Sequence, residues 1–182
     1  MLEILKNQLP GYAKDLKLNL SSLMREETLT PVRRYGALLA AALASGNTSL
    51  IQAASSEASA HMNAEELENA RAANAMMAMT NVYYRFVHMA KDTEYGRMPA
   101  GLRMQVIGRP PAAKVDFELY SLVVSAVNGC EFCVAAHDAE LKKAGLSHAE
   151  IQASIRIAAT VHAVASVLGG EEARASHTEV AA

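Results

Sequence analysis

Tryptophan is absent from this chain, aromatic residues make up only 5% of it, and cysteine occurs twice. A core built mainly from rings, or one stapled by several disulfides, is thereby excluded. Ala, Leu and Met carry most of the 51% hydrophobic fraction, and these residues favour helix over strand. No apolar run approaches the ~18 or more residues of a membrane span. There is no block of basic residues and the formal net charge is −2, which argues against nucleic acid as a partner. The stretch from Met1 to Pro10 contains no continuous apolar segment of the signal-peptide kind, so no export signal is expected. Two cysteines in a non-exported chain point to catalysis or metal binding rather than to a structural staple, and a cytoplasmic location is expected. At 182 residues the chain fits one domain, or two small helical lobes sharing a core.

What is present centres on Glu118 to His137. Cys130 and Cys133 are separated by Glu131 and Phe132, His137 follows Cys133 by four residues, and Glu118 precedes Cys130 by twelve. If the segment after Gly129 is helical, Cys130, Cys133 and His137 share one face at i, i+3 and i+7. Asn128 and Gly129 read as the turn and cap that open this helix, which places both thiols in its first turn. Unpaired N–H groups and the positive end of the helix dipole there favour a thiolate. Side chains three apart on a helix have Cβ atoms roughly 5–6 Å apart, so a disulfide needs only a small adjustment.

Along the chain, residues 1–30 read as two short helices broken at Pro10-Gly11 and around Ser21-Ser22, with Leu16, Leu20 and Leu23 as a docking stripe. Thr30 caps a helix that starts at Pro31 and runs to about Ser45, where Gly46-Asn47 ends it. A second helix is expected over about 48–60, and Asn63 with Glu65 and Glu66 opens a third that runs to about Ala90. The methionines of that third helix read as core filler. Residues 92–113 carry Gly96, Pro99, Gly101, Gly108, Pro110 and Pro111 and read as an irregular connection. Helices are expected over about 115–128, 130–144 and 148–168, with Ser147 and Glu150 at the start of the last one and Gly169-Gly170 as its stop. The tail from Glu171 is expected to fray. The expected organisation is therefore one all-α domain over 1–182: a half at 1–91, the connection at 92–113, and the cysteine-bearing half at 114–182. The two halves match weakly when Tyr35 is set on Tyr120. Arg33, Ser45, Thr48 and Gln52 then occupy the places of Glu118, Cys130, Cys133 and His137, so the scaffold occurs twice and the reactive set once.

The reactive set has what a thiol peroxidase requires. Cys133, with His137 one turn on, supplies an attacking thiolate and a group that takes and returns a proton near pH 7. Cys130 supplies the thiol that resolves a sulfenic acid into a disulfide. Glu118, on the preceding helix, is placed to orient or charge the imidazole. Other readings use the same residues: buried inert thiols, or a zinc site of Cys130, Cys133 and His137 with Asp138 or Glu118 as fourth ligand. Three ligands from two turns of one helix strain a tetrahedron. A thioredoxin-like site needs strands that this helical pattern does not provide. His61, His88, His148, His162 and His177 have no partners in the sequence pattern and read as structural or exposed, His162 being the one that lies on an apolar helix in the cysteine-bearing half. No bound cofactor or metal is expected.

The spacing E-x11-C-x2-C-x3-H, together with Y-A-K-D-L-K-L-N-L-S-S near the start and F-E-L-Y-S-L-V-V-S-A-V-N-G-C through the motif, resembles the alkyl hydroperoxidase D (AhpD) family of the carboxymuconolactone-decarboxylase-like superfamily. The resemblance implies an all-α fold, a homotrimer and an antioxidant alkyl hydroperoxide reductase. It implies dihydrolipoamide, carried on a lipoylated 2-oxoacid dehydrogenase component, as electron donor and the peroxiredoxin AhpC as partner. Carried over by position, Cys133 attacks peroxide, Cys130 resolves, and Glu118 and His137 relay the proton. Some members carry His immediately before the second cysteine, where this chain has Phe132. Glu131 adds a negative charge that opposes thiolate formation. Apolar neighbours, Leu122, Val123, Val127 and Phe132, point to alkyl hydroperoxides over hydrogen peroxide. The resemblance also leaves a dithiol–disulfide adaptor and a decarboxylase-type enzyme as alternatives.

Overall fold

Helices account for all regular structure among the described residues of the computed structural model, which cover the backbone of 1–180 and the side chains of 1–176. In chain order they are α1 (Leu2–Gln8), a 3-10 turn at Gly11–Ala13, α2 (Lys14–Leu23), α3 (Pro31–Ser45), α4 (Thr48–Ser59), α5 (Ala64–Met89), α6 (Thr93–Arg97), α7 (Gln105–Gly108), α8 (Lys114–Val127), α9 (Glu131–Lys143) and α10 (His148–Val180). The starts lie where capping side chains put them. Thr30 Oγ1 accepts from the Arg33 amide at 3.3 Å, and Asn47 Oδ1 from the Leu50 amide at 2.9 Å. Asn63 and Glu66 form a reciprocal capping box at α5, and Ser147 and Glu150 exchange the same bonds at α10. Gly46 ends α3 in the left-handed region at φ +78, a conformation that costs glycine no Cβ clash.

The helices α3–α4–α5 and α8–α9–α10 repeat one order with short turns of similar length. Their packing is reciprocal: α3 lies on α8, α3 also packs on α10, and α8 packs on α5. The centre of the molecule is the α3–α8 crossing, where Leu38, Leu39, Phe117, Leu119, Tyr120 and Val123 are fully buried. Arg33 ties the helices together at one end, with Nε 2.8 Å from Asp116 of α8 and Nη1 2.9 Å from Glu150 of α10.

Four local features differ from the sequence expectations. Ser21 and Ser22 lie inside α2, which continues to Leu23, and Ser21 Oγ bonds back to the Lys17 carbonyl at 2.9 Å instead of competing for a free amide. The connection holds two short helical segments, α6 and α7. Gly169-Gly170 does not stop α10. Glycine costs about 1 kcal/mol per residue inside a helix, but the next two residues are docked: Tyr12 donates to Glu171 at 2.8 Å, and Asn47 and Ser49 both donate to Glu172 at 3.1 Å. The expected fraying from Glu171 is therefore not seen through the described side chains, and Ala181 and Ala182 lie outside the described residues. Finally, α10 over His148–Ser176 is long and apolar enough to cross a membrane, where the sequence showed no such run. Its Ile157, Val161, Val164 and Leu168 are buried and the helix packs on α2, α3 and α8, so burial in the core accounts for its composition.

Candidate active site

The turn between α8 and α9 sets the cysteines. Gly129 adopts φ +67, closing α8 rather than opening α9 as the sequence suggested. The Cys130 amide then donates to the Ser125 carbonyl at 3.0 Å, and Cys130 itself is the N-cap of α9. Cys133 therefore sits at the third helical position while Cys130 stands just before the first. A buried amide network fixes the turn from the α5 side. Asn81 donates to Ser125 Oγ and accepts from Asn128 Nδ2, both at 3.0 Å, and Arg85 donates to the Asn128 carbonyl at 2.5 Å. Cys130 and Cys133 are joined in a disulfide with their Cα atoms 5.4 Å apart. Cys130 is fully buried, and Cys133 is 5% exposed.

The antiparallel packing of α8 and α9 brings Glu118 to His137. Glu118 Oε2 lies 2.6 Å from His137 Nδ1, and its Oε1 lies 2.7 Å from Lys114 Nζ one turn earlier on α8. Burial pushes the Glu118 carboxyl up, but the hydrogen bonds from His137 and Lys114 outweigh it and hold the carboxyl below its ordinary value of 4.5. An ionised Glu118 accepts from Nδ1–H, which leaves Nε2 as the nitrogen that exchanges protons at the pocket. Nε2 lies 3.2 Å from Met77 Sδ.

Cys133 and His137 line a single cavity of about 210 Å3 with Met77, Thr80, Tyr84, Met104, Ile107, Phe132 and Ala136. Its wall is mostly apolar. Phe132, the residue between the cysteines, packs against His88 and Tyr84 with ring centroids 4.5 and 5.6 Å apart. Leu122 and Val123, expected near the thiols, are instead sealed in the α3–α8 core. Val127 faces a separate groove that also holds His162, whose Nδ1 is 3.4 Å from Ser45 Oγ. The remaining histidines are elsewhere: His61 stacks on Tyr35 at 3.8 Å, His148 is exposed, and the side chain of His177 lies outside the described residues. Among the described residues no group of three or more His, Cys, Asp and Glu could hold a metal ion. With both sulfurs in a disulfide, the two thiolates that zinc would need are engaged with each other.

Sequence reasoning assembled Glu118, Cys130, Cys133 and His137, and the fold places all four at one junction. It missed Met77, Thr80, Tyr84, Met104, Ile107 and Lys114. A signal existed for some of them: Met77, Thr80 and Tyr84 share a face of α5 at i, i+3 and i+7, and Lys114 stands four before Glu118.

Fold and site define an all-α dithiol protein with a Cys-x-x-Cys pair at a helix N-terminus and a carboxylate–imidazole pair beside it. Residues 93–176, which span the connection and most of the second three-helix unit, match the carboxymuconolactone decarboxylase family. The chain is 52% identical over 170 residues to the alkyl hydroperoxide reductase AhpD of Maricaulis maris, covering 93% of this chain and 98% of that one. It is 49% identical to the protein of that name from Gluconacetobacter diazotrophicus, with 97% of each covered, and 50% identical to that of Hyphomonas neptunium, over 96% and 97%. The chain belongs to the AhpD family, within the carboxymuconolactone-decarboxylase-like superfamily.

Proposed function

We propose that this protein is an antioxidant thiol peroxidase that reduces alkyl hydroperoxides. The observation that carries the reading is the Cys130–Cys133 disulfide with Cys133 opening onto an apolar cavity that His137 also lines. In the reduced protein His137 Nε2 takes the Cys133 proton. The thiolate attacks the terminal peroxide oxygen, the O–O bond breaks, and the imidazolium returns the proton to the departing alkoxide. Cys130 then attacks the sulfenic acid, releasing water and forming the disulfide. The charge of Glu118 stabilises the imidazolium and fixes its tautomer, with Lys114 keeping that charge in place. No bound cofactor enters. Dihydrolipoamide on a lipoylated 2-oxoacid dehydrogenase component re-reduces the disulfide, and the dithiol also serves the peroxiredoxin AhpC. The working unit is a homotrimer, and a cytoplasmic setting, where disulfides are kept reducible, suits the cycle.

A second use of the same disulfide, as adaptor to another protein's disulfide, is favoured by Phe132. Its ring is 44% exposed beside the cysteine pair and gives a partner an apolar contact.

Stopped-flow mixing of the prereduced protein with cumene hydroperoxide separates these uses. Stoichiometric consumption, one Cys130–Cys133 disulfide formed per peroxide and an inert Cys133→Ser variant establish the peroxidase. Free thiols and unconsumed peroxide, with a Cys130→Ser variant trapping AhpC as a mixed disulfide, establish the adaptor instead.

A further inference from the structure

Two thioethers line the pocket and are left unused by this cycle, Met77 and Met104, and of the two Met77 is the buried one, set against His137. Its Sδ lies 3.2 Å from His137 Nε2, 3.5 Å from Thr80 Oγ1 and 3.7 Å from Asn81 Nδ2, so the thioether is held in one place at the cavity wall. Bulk solvent barely reaches it: Met77 is 2% exposed, comparable with Cys133 at 5%, and both residues line the same cavity. A thioether needs no deprotonation to attack a peroxide, and methionine oxidation stops at a sulfoxide that a reductase can reverse.

We propose that Met77 is a peroxide-oxidised modification site that limits the enzyme when hydroperoxide outruns the supply of reducing dithiol. The inference rests on the peroxidase reading in that it takes an alkyl hydroperoxide to occupy this cavity. While Cys130 and Cys133 remain a disulfide, neither sulfur can attack, and the peroxide meets Met77 instead. Sδ attacks the terminal peroxide oxygen, an S–O bond forms and the O–O bond breaks. The sulfur is oxidised by two electrons and the peroxide reduced by two. The terminal O–H proton passes through His137 Nε2 to the alkoxide, which leaves as the alcohol. His137 thus serves the thioether as it serves the thiol. The product is a polar sulfoxide whose oxygen accepts a hydrogen bond from a protonated Nε2, and it changes an apolar wall into a polar one. Peroxide reduction falls until the sulfoxide is reduced.

Solvent exposure and pocket chemistry give opposite orders of oxidation, which makes the test direct. Met89 and Met98 are 73% and 61% exposed, and an oxidant acting from bulk solvent reaches them first. The wild-type protein, held as the disulfide, is treated with cumene hydroperoxide and its methionine peptides are followed by mass spectrometry. Met77 is expected to gain one oxygen ahead of Met89 and Met98, and to lose that lead in a His137→Gln variant. With dihydrolipoamide limiting, the loss of turnover is expected to track the Met77 sulfoxide. Oxidation of Met89 and Met98 with Met77 spared overturns the proposal, even if the dithiol turns over normally. Met77 oxidised first in a protein whose thiols consume no peroxide upholds Met77 as the oxidised site, but overturns both its role as a limit on turnover and the peroxidase reading.

Discussion

Glu118 is pulled two ways, by a buried setting that disfavours its charge and by two cationic or proton-donating neighbours that favour it. The neighbours win, and its carboxyl titrates below 4.5. The unfolded chain binds the proton more readily than the folded one, so this group stabilises the fold above the ordinary carboxylate pKa. That contribution is lost as pH falls from about 4.5 through the lowered folded value. Chemical denaturation across that acid window should show a slope in the wild type that is reduced in Glu118→Gln; equal slopes would remove Glu118 from the balance. Lys114 acts through Glu118. Lys114→Met should move the acid limb of the peroxide-consumption profile to higher pH, and Lys114→Arg should restore it. An unmoved limb in Lys114→Met would leave Lys114 a surface charge. Of these residues, Glu118 and His137 were legible because their spacing puts them on facing sides of one helix hairpin. Lys114 was not, because an i, i+4 Lys–Glu pair looks the same whether its carboxylate is solvated or buried against a histidine. Met77 lies far away in sequence, and only the packing of α5 on α9 reveals its contact.

Among the elements, α3 and α8 cross at close range. A Cβ on Gly36 would lie 2.1 Å from the Tyr120 ring, whose hydroxyl donates to the Val32 carbonyl at 3.0 Å. Burial pushes the Tyr120 hydroxyl well above its ordinary value, with the negative charges of Asp116 and Glu66 adding to it, so it stays a neutral donor. The ring is fully buried, so an added methyl group meets it from inside the core. Overpacking a filled core costs about 1–3 kcal/mol and sometimes more, and Gly36→Ala should reach the upper end of that range. The drop in denaturation midpoint measures it, and a midpoint within experimental error of the wild type would mean that the helices slide apart freely. The helices flanking this crossing were readable from their ends, since Thr30, Asn47, Asn63 and Ser147 cap where short polar side chains can reach free amides. The reading failed where a distant contact overrides local preference: Glu171 and Glu172 hold α10 through two glycines that would otherwise end it. No local pattern signals that Tyr12, Asn47 and Ser49 will be there.

At the scale of the whole molecule, the two three-helix units share one core, but their outer surfaces differ. On α5, Val82, Phe86 and Met89 follow one another at i, i+4 and i+7 with their side chains largely in solvent, and Tyr95 packs its ring on Phe86 at 5.0 Å. Exposed apolar side chains gathered along one helix face are what an association surface leaves on an isolated chain. If the proposed homotrimer forms through this face, a charge at its centre should break it. Phe86→Glu removes no core contact, so helix content by circular dichroism should match that of the wild type. Light scattering should then fall from the mass of three chains to that of one. A wild-type protein that scatters as a single chain would refute the trimer. A Phe86→Glu trimer would keep the assembly but move its interface elsewhere, leaving the ring surface around Phe132 open to a partner that exchanges disulfides with Cys133.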